Sequence, residues 1–185
     1  MGGVRPPVVV AVALAVAVVV LAAAQGGPDY FLQLGERSHN LALAREVLGD
    51  DVAVPLEDGH DGENSWVLAR DPLLLDDHAA DRFDRPVYRA QRIGYPLLAA
   101  PWKLGGEQAL LWGLVVTNLA AIVAGTWAAG RLGAAYAFAF NPLVILALLF
   151  DCADAVALAG VVLAMLAATR ARAGSLATAA PIDAA

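Results

Sequence analysis

The chain alternates long apolar stretches with a single long polar one. Val8 to Ala24 is an unbroken apolar run behind Arg5, close to the minimum of roughly 17 residues that can cross a hydrocarbon core. The small residues Ala22-Ala23-Ala24 before Gln25 resemble a signal-peptide cleavage site. The run is longer than the roughly 7–15 apolar residues of a signal peptide, which favours an uncleaved first helix. Both readings send Gln25 and the polar residues after it across the membrane.

Further apolar stretches cover Glu107 to Ala129, Ala134 to Phe150 and Ala155 to Thr169, and a shorter one from Ile93 to Leu104 is interrupted by Pro96 and Pro101. This pattern predicts an all-α, multi-pass transmembrane protein: a first helix in residues 1–24, a large outer loop with amphipathic helices in 25–92, a membrane region in 93–172 holding a short re-entrant or interfacial piece and about three helices, and a tail in 173–185. Asn141-Pro142 falls inside one of the spans, where a proline is expected to kink the helix.

Within the polar stretch, Tyr30, Phe31, Leu34, Leu41, Ala44 and Leu48 recur at helical spacing and predict an amphipathic helix on the membrane surface, ended by Gly49. A second short helix is expected to begin at Trp66-Val67-Leu68-Ala69 and to stop at Asp71-Pro72. Another short turn is read through Leu73 to His78.

Composition agrees with the pattern. Hydrophobic residues make up 59% of the chain and charged residues 16%, with a mean hydropathy of +0.63. Aromatics are only 7%, so the excess is aliphatic and suits helices better than a β-barrel. Cys152 is the single cysteine, which excludes an internal disulfide and argues against a thiolate metal site.

Charge sets the orientation. Gln25 to Arg92 holds 14 of the 18 acidic residues and 7 of the 12 basic ones, an acidic segment without a basic stripe for nucleic acid. With both termini cytoplasmic, Arg5, Arg131, Arg170 and Arg172 all lie inside, and Asp151 and Asp154 fall outside with the loop. The expected location is therefore the plasma (inner) membrane, with membrane lipids as neighbours.

Two clusters could carry chemistry. Glu57, Asp58, Asp61 and Glu63 lie within seven residues. Such carboxylates repel one another unless a cation or an arginine sits among them. The two Asp-Gly turns suit oxygen ligation of a divalent cation, Mg²⁺ or Mn²⁺, by Asp58 and Asp61, with Asp151 and Asp154 meeting them across the outer surface. A solvated acidic loop, and capping of the last helix by Asp151 and Asp154, are the plainer readings. The second cluster, Arg82, Arg85, Arg89 and Arg92 with Tyr88 and Tyr95 interleaved, has the spacing of one helix face and the chemistry to hold a lipid phosphate. Pairing with Asp76, Asp77, Asp81 and Asp84, or snorkelling to headgroups, is its alternative.

The runs Asp61-Gly62-Glu63-Asn64-Ser65-Trp66-Val67-Leu68-Ala69-Arg70-Asp71-Pro72-Leu73-Leu74 and Arg85-Pro86-Val87-Tyr88-Arg89-Ala90-Gln91-Arg92-Ile93-Gly94-Tyr95-Pro96-Leu97-Leu98-Ala99 resemble the first outer loop of bacterial membrane glycosyltransferases of the GT-C superfamily, in its mannosyltransferase-like branch. The later Asn141-Pro142 and Asp151-Cys152-Ala153-Asp154 are similar to that branch as well. The resemblance implies sugar transfer from a polyprenyl-phosphate donor on the outer face of the membrane. It implies Asp61 as catalytic base or part of a metal site, and Arg89 and Arg92, with Tyr88 and Tyr95, as donor-binding residues. Superfamily members carry more spanning helices than this chain, so the resemblance also implies a truncated member, or a second polypeptide that completes the bundle. The alternative is a non-catalytic multi-pass membrane protein or degenerate fragment whose acidic outer loop binds cations or a partner.

Overall fold

The computed structural model describes residues 6–75, 80–83, 85–90, 92–150 and 152–178. Among these the chain is helical, with one isolated parallel bridge between Gly35 and Leu56 and no strand. Three helices are long and apolar enough to cross a membrane: α1 (Pro6–Gln25), α6 (Glu107–Arg131) and α9 (Asp154–Thr178). The others are α2 (Leu41–Leu48), α3 (Asp61–Arg70), α4 (Pro86–Ala90), α5 (Gly94–Ala99), α7 (Ala135–Ala139) and α8 (Pro142–Leu149).

Helix α1 opens with Pro6 and Pro7, where the missing N–H costs nothing. It buries Val10, Val18 and Ala22 while Val12, Val16, Val19 and Val20 point outward. An apolar outer face of this length is what a bilayer solvates and water does not. Helix α6 is the central element and packs on α9, α1 and α7. Its charged ends are complementary to the helix dipole, with Glu107 in the first turn and Arg131 in the last. Glycines let rings approach this helix closely: a side chain at Gly125 would overlap Phe138, and one at Gly113 would overlap Trp102.

The Ala134 to Phe150 stretch departs from the expected continuous span. It is two helices, and Asn141-Pro142 begins the second instead of kinking one. Asn141 Oδ1 accepts from the Leu143 N–H at 2.9 Å, and Pro142 occupies the first helical position. Neither piece is long enough to cross alone. Together they run back along α6: Phe138 lies at Gly125, Asn118 Nδ2 donates to the Ala147 carbonyl at 3.3 Å, and the Phe150 carbonyl reaches Gly62. Helices α6 and α9 consequently start at the same end, the end that holds α3. Helix α9 continues to Thr178, so the helix runs on into the stretch read as the tail.

The amphipathic segment is also broken. A 3-10 turn at Pro28–Leu32 ends at Gln33 in the left-handed region (φ 52°), and α2 starts only at Leu41. Between them the backbone pairs with the acidic segment: Glu36 N–H donates to the Leu56 carbonyl and Arg37 N–H to that of Glu57, both at 3.0 Å. Gly35 permits this approach, since a Cβ there would lie 2.6 Å from the Asp58 carbonyl carbon. Gly49 caps α2 as expected. Helix α3 starts at Asp61, well before Trp66, because Asp61 and Glu63 suit its first turn; it stops at Asp71 before Pro72 as expected. The expected turn through Leu73 to His78 falls partly outside the described residues.

Two apolar cores result. One joins α1, α6, α8 and α9 around Val18, Val115, Ile122, Val144 and Ala155. The other seats α3 and α5 on the start of α6 through Trp66, Leu68, Tyr95, Leu110 and Leu114.

Candidate functional site

The amino terminus of α3 is the meeting point of the two charged clusters. Asp61 is the first residue of that helix, and its carboxylate lies between two arginines from the other cluster. Oδ1 accepts from Arg89 Nη1, and Oδ2 accepts from Arg92 Nη1 at 2.6 Å. Arg92 Nη2 also donates to the Tyr88 hydroxyl, and both guanidinium groups lie near the Tyr88 ring, at 5.7 Å for Arg89 and 4.8 Å for Arg92. Side-chain exposure is 27% for Asp61, 17% for Arg89 and 39% for Arg92. The triad is thus neither solvated nor sealed.

The arginine cluster is not one helix face. Arg82 ends a 3-10 turn, Arg85 sits in a bend, Arg89 is in α4 and Arg92 follows it. Pro86 explains the break, since a proline starts a helix and does not continue one. Arg89 and Arg92 nevertheless reach one carboxylate. Tyr95 does not join them: it is 1% exposed and packs in the core beneath α3, so of the two tyrosines expected to bind the donor only Tyr88 faces the arginines. The cleft around Asp61 is lined by Asn64, Ser65, Leu68, Pro96 and Ala153 and has a volume of about 10 Å³, room for one water. Arg89 and Arg92 complete its wall.

The four carboxylates expected to hold a cation go different ways. Asp61 holds the arginines. Asp58 is 80% exposed and lies 3.7 Å from Arg37, which also pairs with Glu57. Asp154 is exposed at the first turn of α9, and Asp151 lies outside the described residues. Among the described residues no three His, Cys, Asp or Glu side chains converge as a metal site would require. Among the described residues, guanidinium groups and not further carboxylates surround Asp61. The chain on either side of Asp151 lies beside the loop: Cys152 Sγ lies 3.6 Å from His60 Nδ1, His60 packs on Phe150 at 4.8 Å, and Ala153 lines the Asp61 cleft.

Glu63 is the residue that sequence reasoning placed only in an acidic turn. It is 7% exposed, and Oε2 has no hydrogen-bond partner among the described residues. Burial pushes its carboxyl above the ordinary range; the Ser38 and Asn40 side chains, the Gly35 backbone and the Arg89 charge act in the opposite direction. Its position, third in a helix opened by another acid, is the only signal in the sequence, and it marks a capping position more readily than a buried one. A further ion pair, Arg70 Nε to Glu107 Oε1 at 2.9 Å, ties the end of α3 to the start of α6, with Lys103 Nζ donating to the Arg70 carbonyl at 2.7 Å.

Comparison with protein-family models, curated proteins and solved structures gives no match.

Proposed function

We infer that the chain is a multi-pass protein of the plasma membrane, and that the Asp61 site lies at its outer surface and serves a GT-C-like glycosyltransferase, of which the chain is the whole or the amino-terminal part. The donor is a polyprenyl-phosphate sugar. The observation that supports this best is the carboxylate of Asp61 shared between Arg89 and Arg92 at the end of the bundle where α6 and α9 begin. Its topological support is the distribution of arginines: Arg131 closes α6, and Arg170 reaches Trp127 near the far end of that helix.

Two adjacent guanidinium groups that hold one carboxylate can hold one phosphate in its place, because both anions accept the same forked donation. When the donor phosphate takes the arginines, the Asp61 carboxylate is released beside it. Asp61 then accepts the proton of the acceptor hydroxyl as that oxygen bonds to the anomeric carbon. The bond from the anomeric carbon to the phosphate oxygen breaks with inversion. The electron pair leaves on the polyprenyl phosphate, whose charge Arg89 and Arg92 stabilise. Tyr88 positions Arg92 through its hydroxyl.

Sugar transfer by membranes containing the chain, supplied with polyprenyl-phosphate hexoses, tests this reading. Transfer by the wild type and its loss in Asp61→Asn are expected. Equal rates in both would reduce the Asp61 cluster to a structural ion pair that fastens the outer loop to the bundle.

A further inference from the structure

Helices α1 and α6 leave an open groove between them toward the end of the bundle away from Asp61. One part, of about 710 Å³, is lined only by apolar side chains, among them Ala15 of α1 and Val116, Leu119 and Val123 of α6. Pro7 and Trp127 line this trough and also a second hollow of about 530 Å³, so the two adjoin. The second hollow brings in Arg131 and Tyr136. Neither the Arg131 guanidinium nor the Tyr136 hydroxyl has a hydrogen-bond or ion-pair partner among the described residues. The Ala129 and Gly130 carbonyls, by contrast, accept from the N–H groups of Leu132, Gly133 and Ala134. What the hollow offers a ligand is therefore a cation and a hydroxyl. Arg170 adds a second positive charge, 5.8 Å from the Trp127 ring. Helix α1 has no acid, and α6 and α9 carry theirs only in the first turn, at Glu107 and Asp154. This end of the bundle thus sets arginines against no carboxylate among the described residues, and its complement is an anion.

The shape says which anion. From Val116 to Trp127, α6 rises about 16 Å, about half of the roughly 30 Å hydrocarbon core. The trough is one leaflet deep, which matches an acyl chain better than a further spanning helix, since a helix needs the whole core. Trp127 and Tyr136, 42% and 56% exposed, stand at its polar end, as aromatic side chains do where hydrocarbon meets headgroups. We propose that the groove holds one anionic phospholipid, its phosphate on Arg131 and its acyl chain along α6. A zwitterionic lipid adds an ammonium group for which this end offers no carboxylate, so phosphatidylglycerol is preferred to phosphatidylcholine. This rests only on the membrane part of the reading above, in which this end meets the anionic cytoplasmic leaflet; sugar transfer is not involved.

The test uses the full chain purified in detergent and incubated with equal amounts of phosphatidylglycerol and phosphatidylcholine, with retained lipid read by native mass spectrometry. One phosphatidylglycerol per chain is expected to survive removal of the micelle, in preference to phosphatidylcholine. Arg131 is exposed, so its loss does not burden folding. Arg131→Gln should lower phosphatidylglycerol affinity about fivefold, as for one basic residue at an anionic surface, while Arg172→Gln, at the same end but outside the groove, should stay within about twofold. Ala124→Phe puts a ring into the trough and should weaken both lipids. Inorganic phosphate should displace neither, because it makes no use of the trough. The proposal is overturned by equal retention of the two lipids, by equal effects of Arg131→Gln and Arg172→Gln, by displacement with inorganic phosphate, or by a lipid-free dimer, which would seat a second copy in the groove. Washing membranes with alkaline carbonate tests the premise separately. A chain that washes off overturns the membrane reading together with this one; a chain that stays in the membrane and retains no lipid overturns this one alone.

Discussion

Neutralising Asp61 should reveal how strongly the outer loop is tied to the bundle. In Asp61→Asn the amide keeps the shape and loses the charge that Arg89 and Arg92 share. A hydrogen bond to a charged group contributes about 1.5–3 kcal/mol when well buried, whereas exposed pairs give about 0.2–1 kcal/mol. Arg89, at 17% exposure, belongs near the first range, and Arg92, at 39% and already bonded to Tyr88, belongs near the second. The expected coupling in double-mutant cycles is therefore about 1–2 kcal/mol for Asp61 with Arg89→Gln and about 0.5 kcal/mol for Asp61 with Arg92→Gln. Reversible SDS unfolding in mixed micelles, followed by tryptophan fluorescence, measures all the corners of both cycles. Additivity within about 0.3 kcal/mol for the Arg89 cycle, or an Arg92 coupling larger than that of Arg89, would refute the reasoning.

Gly62→Ala should destabilise the chain by about 1–3 kcal/mol, the cost of overpacking, because its Cβ would meet the Leu32 and Phe150 carbonyl oxygens at 2.7 Å and that of Phe31 at 2.9 Å. These are backbone atoms and cannot rotate away; an unchanged unfolding midpoint would contradict the packing of α3 against the Pro28–Leu32 turn and the Phe150 carbonyl. Glu63 sets a pH dependence of known sign. Its carboxyl is raised in the folded state, so the folded chain binds more protons, and stability is highest below the ordinary glutamate range and falls as pH rises through the raised value. Glu63→Gln should remove that decline. Unfolding midpoints recorded between about pH 4 and pH 8 for both proteins measure the difference, and parallel profiles would show that the Glu63 carboxyl is not buried in this way.

How far the sequence is readable varies from residue to residue, and the physics says why. Helices α1 and α6 and the stops at Gly49 and Asp71-Pro72 are visible because apolar run length and chain breakers are local properties. The partnership of Asp61 with Arg89 and Arg92 is half visible. Each side is recognisable as an unusual charge cluster, but that they pair with each other across some thirty residues depends on how α4 folds over α3. Tyr95 and Glu63 are misread for the same reason. A tyrosine in an arginine-rich stretch and a glutamate in an acidic turn look solvated; Tyr95 is buried because α5 packs on α3 and α6, and Glu63 because the segment before α2 closes over it. The start of α3 is hidden since polar first turns resemble loops. The division between α7 and α8 is hidden since apolar composition alone does not distinguish a kinked span from two helices end to end; only the cap geometry at Asn141 does so.

The most direct test of the account is the affinity of a short-chain polyprenyl phosphate for the chain in nanodiscs, because carboxylate and phosphate are held to compete for the same two arginines. Asp61→Asn should bind it more tightly than the wild type, by about tenfold if the released coupling is near 1.4 kcal/mol, while Arg89→Gln should bind it more weakly. Unchanged or weaker binding by Asp61→Asn would mean that the arginines are committed to the carboxylate and do not form a phosphate site.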